Sequence, residues 1–230
     1  GVPVYCEALG SERDGAFAQY CCVSADQLFD VSESPLTDIE IGAMPCAYGT
    51  ALNLLTRSQV NDGDRVLVTG ASGGVGLATV QLARQKGARV TAIAAAAKAD
   101  AVLTAGAQSV LDRDASLPKE DFTVVIDVVG GNQFGECLDA LCPGGRLATS
   151  GAIAGPMAEV DLRTLYLKDL TVFGCTYQSR EVFRALVSLI NTGSLRPLVS
   201  KVYPLKDIAQ AQTDFMTKRS PGKLVLRPLF

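Results

Sequence analysis

The stretch "VLVTGASGGVGLATVQLA", Val66 to Ala83, constrains this chain more than any other. A β-favouring run leads into a turn containing Gly70, Gly73, Gly74 and Gly76. Apolar positions at helical spacing follow at Val75, Ala78 and Leu82. Glycine is the residue least restrained in φ and ψ, so a cluster of it between two patterned elements marks a strand–turn–helix unit that something must approach closely. The first amides of a helix have no intrahelical acceptor, and the helix dipole is positive there, so the turn is an anion site. Ala71, Gly73 and Gly76 occupy the three positions of the G-x-G-x-x-G dinucleotide pattern, with alanine at the first. The run Ala71, Ser72, Gly73, Gly74, Val75 and Gly76 is the expected cradle for a pyrophosphate.

The surroundings supply the context this pattern needs. Strands are expected at "RVLVTG" from Arg65, "RVTAIA" from Arg89, "SVLD" from Ser109, "FTVVIDVVG" from Phe122, "RLATSG" from Arg146 and "LTVFGC" from Leu170. Helical patterns separate several of them, including one from Lys98 and one over Asn132 to Leu141. That alternation predicts an α/β fold with a Rossmann-type, doubly wound parallel sheet covered on both faces. Before it, "AFAQYCCV" from Ala16 reads as β, Thr37 and Glu40 have capping-box spacing, and a helix follows Pro45. After it, Ser179 caps a helix that Gly193 ends. Leu205, Ile208, Gln212 and Phe215 mark another helix face, and "KLVLRP" from Lys223 is a last strand.

The second strand ends about 20 residues after the glycine turn, where NAD-binding folds often place an acid on the ribose. Here that end reads Ala94, Ala95, Ala96, Ala97, Lys98. With no carboxylate to repel a 2′-phosphate and a lysine at hand, the reading favours NADPH or NADP over NADH. A first-turn lysine facing solvent is the plainer alternative for Lys98. Asp127, near a strand end, is expected to pair with a backbone donor.

Composition removes other classes. The chain of 230 residues has no histidine, so imidazole chemistry must come from elsewhere. Net charge is −3, which gives no nucleic-acid footprint. No apolar run reaches the roughly 18 residues of a membrane span. Seven cysteines at irregular spacing argue against a disulfide framework and for a reducing, cytoplasmic setting.

"GAFAQY", "MPCAYGTALNLL", "DRVLVTGASGGVGLATVQLA", "VVIDVVGG", "PGGRLATSGA", "LYLKDLTVFGCT" and "GKLVLRP" occur in this order. Together they resemble the medium-chain dehydrogenase/reductase superfamily, in its quinone oxidoreductase and zinc-type alcohol dehydrogenase-like branches. The resemblance covers essentially the whole chain. It implies that residues 1–43 are the end of a chaperonin-like catalytic β-barrel, 44–177 the dinucleotide domain, and 178–230 a return to the barrel. It also implies that about a hundred further barrel residues, the size of a common domain, usually precede this point, so the chain reads as starting near the barrel's end.

By matching positions, Cys46 stands where the family has its last catalytic zinc ligand. A catalytic zinc needs about three protein ligands, so a lone thiol is not a site, and Cys46 would serve only with upstream partners. Thr50 matches a family residue close to the nicotinamide. Val129, Gly151, Ala152 and Thr176 match strand ends that line the nicotinamide pocket. Tyr48 could donate a proton to a reduced carbonyl or enone, although an aromatic on an apolar helix more often packs.

The resemblance implies an oxidoreductase that moves hydride between NADPH and a carbonyl, quinone or activated alkene, a small molecule held between domains. A non-catalytic NADPH-binding sensor and a zinc alcohol dehydrogenase with upstream ligands stay open as alternatives. "LTVFGC" is expected at a sheet edge, where the family often forms homodimers.

Overall fold

The computed structural model describes residues 14–228. They fall into two compact units. One comprises residues 50–175, and the other joins 14–49 to 176–228.

The 50–175 unit holds six parallel strands: β1 (Arg65–Val68), β2 (Arg89–Ile93), β3 (Ser109–Leu111), β4 (Phe122–Asp127), β5 (Leu141–Thr149) and β6 (Thr171–Gly174). Their order is β3-β2-β1-β4-β5-β6, so the sheet grows outward in both directions from β1 and β4. β1 and β4 are buried along nearly their whole length, which is why they read as unbroken Val, Leu and Ile runs rather than alternating ones. Helix α3 (Gly74–Gln85) turns Leu77, Ala78, Val80, Leu82 and Ala83 inward. Helix α5 (Gln133–Asp139) buries Cys137 and Leu138 in a cluster with Leu67, Phe122, Val125, Leu141 and Leu147. Helix α4 (Ala99–Thr104) links β2 to β3, with a 3-10 turn over Ala96–Lys98 before it. All six expected strands form. β5, however, begins at Leu141 rather than Arg146, and α5 correspondingly stops at Asp139. A further short helix, α6 (Leu162–Leu167), precedes β6, which is the edge of the sheet.

In the other unit, α1 (Asp38–Ala43) begins with the expected capping box: Thr37 accepts from the Glu40 amide while the Glu40 side chain accepts from Thr37 N–H. Helix α2 (Pro45–Arg57) follows; residues 45–49 belong to this unit and residues 50–57 to the 50–175 unit. Helix α7 (Arg180–Thr192) is capped by Ser179 and closed by Gly193 at φ 62°. β7 (Val199–Pro204) pairs in parallel with β8 (Lys223–Arg227), with α8 (Ile208–Met216) between them. Two expectations fail here. Residues 16–23 form no strand, and Phe17 and Tyr20 are 70% and 81% exposed, so the segment's apolar content does not reflect a buried strand face. Phe215, placed on the apolar face of α8, is exposed, and Ala211 is the residue that helix buries. Among the described residues no helix is long and apolar enough to cross a membrane.

Candidate functional site

The site is the crest formed by the carboxyl ends of the strands. In an open parallel sheet, ligands bind there, at the point where strand order reverses. In this sheet that point lies between β1 and β4.

At the end of β1 the chain reverses on Gly70, whose φ of 57° is left-handed. Gly73 N–H donates to Gly70 O at 3.0 Å, and Ala71 N–H donates to Ile93 O at 3.1 Å. The alanine at the first pattern position is therefore harmless, because the residue before it carries the left-handed backbone. The spacing of the pattern does not assign this role to Gly70. Gly73 is the N-cap of α3 and makes no side-chain cap bond. The amides of Gly74, Val75 and Gly76 head that helix, where helical geometry provides them no acceptor.

The six cradle residues divide by role. Ala71, Ser72 and Gly76 are buried, whereas Gly73 is exposed and Gly74 and Val75 are half-buried, so only the latter three offer surface. Gly76 is fixed by packing: a Cβ there would sit 2.3 Å from Gly70 O and 2.5 Å from Ala71 Cα. A Cβ on Gly73 would come no closer than 3.4 Å to the protein. Glycine at 73 thus keeps open a backbone that nothing in the fold itself requires to be bare. This cradle, which a Cβ would fill, fits the pyrophosphate of a dinucleotide.

On the β2 side of the crest, Ala94 is buried, the 3-10 turn follows, and Lys98 is half-buried. Residues 94–98 include no carboxylate, and Asp100 is exposed on α4.

On the β4 side, Asp127 is 2% exposed. Its Oδ1 accepts from Thr69 Oγ1 at 2.7 Å and from the Val129 and Gly130 amides at 3.1 and 3.2 Å. Its Oδ2 accepts from Gly130 N–H at 3.1 Å and from Thr149 Oγ1 at 3.2 Å. Thr69 Oγ1 in turn accepts from Val128 N–H. The expected backbone pairing of Asp127 is present. The two threonines were not foreseen, because nothing in the local pattern shows that residues 58 and 22 positions away share one carboxylate. One side chain thus ties together the ends of β1, β4 and β5. Beyond it, Gly131 N–H donates to Gly155 O and Ala154 N–H to Val129 O, locking the two following turns to each other. A Cβ on Gly151 would meet Val128 O at 2.8 Å. Val129 is half-buried beside Gly70, while Gly151 and Ala152 are exposed on the rim. On β6, the Arg57 guanidinium donates to Gly174 O and lies 5.9 Å from the centre of the Phe173 ring.

The remaining candidates do not join this cluster within the unit. Thr50 is its first residue, half-buried on α2, and Thr176, exposed, is the first residue past its end. Tyr48 is 2% exposed, and its hydroxyl donates to Arg196 O at 3.2 Å, with burial raising its ionisation range. A phenol so enclosed and bonded to a carbonyl packs within the unit that also holds Arg196. Cys46 is exposed, and among the described residues no group of three or more His, Cys, Asp or Glu could hold a metal. Residues 14–228 alone do not fit a catalytic zinc.

Comparison with known proteins follows the same outline. Residues 74–192 match the family model described as zinc-binding dehydrogenase. An acryloyl-coenzyme A reductase from Metallosphaera sedula is 33% identical over 236 residues, covering 98% of this chain and 70% of that protein. The crystal structure of a putative alcohol dehydrogenase from Sinorhizobium meliloti 1021 superposes with a TM-score of 0.91 at 45% identity, over 96% of this chain and 63% of that one. The 2-octenoyl-CoA carboxylase reductase CinF, solved with NADP and 2-octenoyl-CoA, gives a TM-score of 0.81 at 28% identity, over 89% of this chain and 53% of its own. The chain thus spans 53–70% of the length of these relatives.

Proposed function

Because this chain belongs to the zinc-binding dehydrogenase family of medium-chain dehydrogenases/reductases, we propose that it carries the coenzyme site of an NADPH-dependent oxidoreductase. The observation that carries the reading is the pair of features on the crest: an exposed glycine cradle heading α3, and a β2 end of alanines followed by Lys98 without a carboxylate. In this reading the amides of Gly73 to Gly76 hold the pyrophosphate, and Lys98 takes the 2′-phosphate. Val129, Gly151 and Ala152, with Thr50, border the nicotinamide. When bound, NADPH supplies the hydride. The chain's own share is to orient donor and acceptor and to exclude water.

The acceptor class is an activated alkene conjugated to a thioester. The acryloyl-coenzyme A reductase and the octenoyl-CoA-bound relative support that choice. The full protein should consume NADPH with an α,β-unsaturated acyl thioester faster than with quinones or aldehydes. Binding of NADPH without turnover of any acceptor would instead make it a sensor. Lys98→Ala should erode the preference for NADPH over NADH by about one to two decades, the worth of a charge-assisted hydrogen bond. Unchanged discrimination in that variant would remove Lys98 from the site.

The protein is further proposed to form a homodimer through β6, in a reducing cytoplasm. β6 is a sheet edge, Val172 on it is 41% exposed, and Leu162, Tyr166 and Leu167 of α6 are exposed beside it in sequence. Bare edges and apolar patches of this kind are usually covered. Val172→Lys should give a monomer by light scattering at micromolar concentration; a wild-type monomer there would refute the dimer.

A further inference from the structure

Asp127 is a buried carboxylate served only by donors. Four groups point at its two oxygens: the hydroxyls of Thr69 and Thr149 and the amides of Val129 and Gly130. A carboxylate accepts everything and donates nothing only when ionised, so this donor set suits the charged form. No cation compensates it, since Asp127 forms no ion pair among the described residues. At 2% exposure, water and salt screen it weakly. Its charge also reaches α5, where it adds to the burial that pushes the Cys137 thiol up.

Its place matters as much as its charge. Asp127 is the last residue of β4, at the point where strand order reverses. A dinucleotide lies across that point with one half over each side of the sheet. If Lys98 and the β2 end take the adenosine side, the nicotinamide side falls to the ends of β4, β5 and β6, where Asp127 sits beneath the rim. We propose that Asp127 biases the site, through its field, toward the coenzyme form whose ring is positively charged, NADP+, and thereby favours hydride donation over hydride uptake. This rests on the coenzyme reading given above. In the transfer, a C–H bond of the reduced ring breaks and its electron pair forms a new C–H bond on the acceptor. The ring is left cationic, and the acceptor takes a proton from water. A fixed negative charge stabilises the developing cation without reorganising, which is the preorganised electrostatics that catalysis exploits.

The test is the ratio of two dissociation constants, for NADP+ and NADPH, measured by calorimetry on the full protein. At an effective dielectric of about 20, a fixed unit charge on the same side of the site alters the binding of an opposite charge by about ten-fold. Asp127→Asn should therefore weaken NADP+ about ten-fold more than it weakens NADPH. Thr69→Val, which breaks the clamp and leaves the charge, should weaken both forms alike. Equal weakening of both forms in Asp127→Asn, or no change, would overturn the proposal and leave Asp127 a purely structural clamp. Should Asp127→Asn fail to fold, Asp127→Ser removes the charge in a smaller volume and is read the same way. Should neither fold, the wild type decides: NADP+ bound about ten-fold tighter than NADPH supports the proposal, and equal or weaker binding of NADP+ overturns it. A wild type that binds neither form refutes the coenzyme reading itself, which is a separate result.

Discussion

Gly76→Ala is the sharpest test of how the crest is built. The added methyl would lie 2.3 Å from Gly70 O and 2.5 Å from Ala71 Cα, where ordinary contact begins at 3.4 Å. Both obstacles are backbone, so α3 must move away from the turn by about 1 Å rather than a side chain turning aside. Overpacking of this kind costs about 1–3 kcal/mol. Alanine's better helix propensity returns at most about 1 kcal/mol. The net loss of up to about 3 kcal/mol lowers the melting temperature of a chain this size by up to about 12 °C. The assay is thermal unfolding with and without NADPH. A ligand at 100 times its dissociation constant adds about 2.7 kcal/mol to the wild type, a gain the displaced cradle should largely forfeit. Gly73→Ala is the control, since its methyl meets the protein only at 3.4 Å. It should melt close to the wild type but still lose the NADPH-dependent rise. A Gly76→Ala protein that melts at or above the wild type and gains the same rise would refute this account of the turn.

Two further outcomes follow from other parts of the chain. Thr37→Ala removes the hydroxyl that accepts from the Glu40 amide and donates to its carboxylate, and should cost about 1 kcal/mol at pH 7 in chemical denaturation. The Thr37 amide, then its hydroxyl, hold the Glu40 carboxyl below its usual range. That stabilisation is present above the carboxyl's unfolded value and is lost as pH falls through the lowered folded one. The cost of the substitution should therefore shrink at acid pH, and a cost that grows there would contradict the capping box. In timed alkylation with peptide mapping, Cys21, Cys22 and Cys46 should label early because they are exposed. Cys137 should label last: burial first, then the Asp127 and Glu136 charges, push its thiol up to about 12. Labelling of Cys137 together with Cys46 would show that its pocket opens.

The parallel sheet was legible because buried strands of this kind are nearly continuous runs of Val, Leu and Ile, as in β1 and β4. The glycine cradle was legible because its spacing is imposed by a single close approach of helix to turn. What escaped was of two kinds. α6 and β7 are short and carry mixed patterns: α6 leaves Leu162, Tyr166 and Leu167 exposed, and β7 places Lys201 beside Val202 and ends on Pro204. Their periodicity therefore says little about a buried face. The Thr69–Asp127–Thr149 cluster escaped for a different reason, since it exists only once three distant strand ends are adjacent in the sheet. Gly70 is one of the turn glycines, but the dinucleotide pattern assigns no role to the residue before its first position and so does not single out its left-handed backbone.

The account's central claim is that the bare amides from Gly73 to Gly76 grip the diphosphate of a nicotinamide coenzyme. Calorimetric titration of NADPH into the full wild-type protein and into Gly73→Ala tests it most directly. The wild type should bind one equivalent with a dissociation constant well below about 1 mM, the upper end of ordinary substrate affinities, and Gly73→Ala should bind at least about ten-fold more weakly. Absence of heat from NADPH, NADP+ and NADH alike at millimolar concentration, on folded wild-type protein, would contradict it.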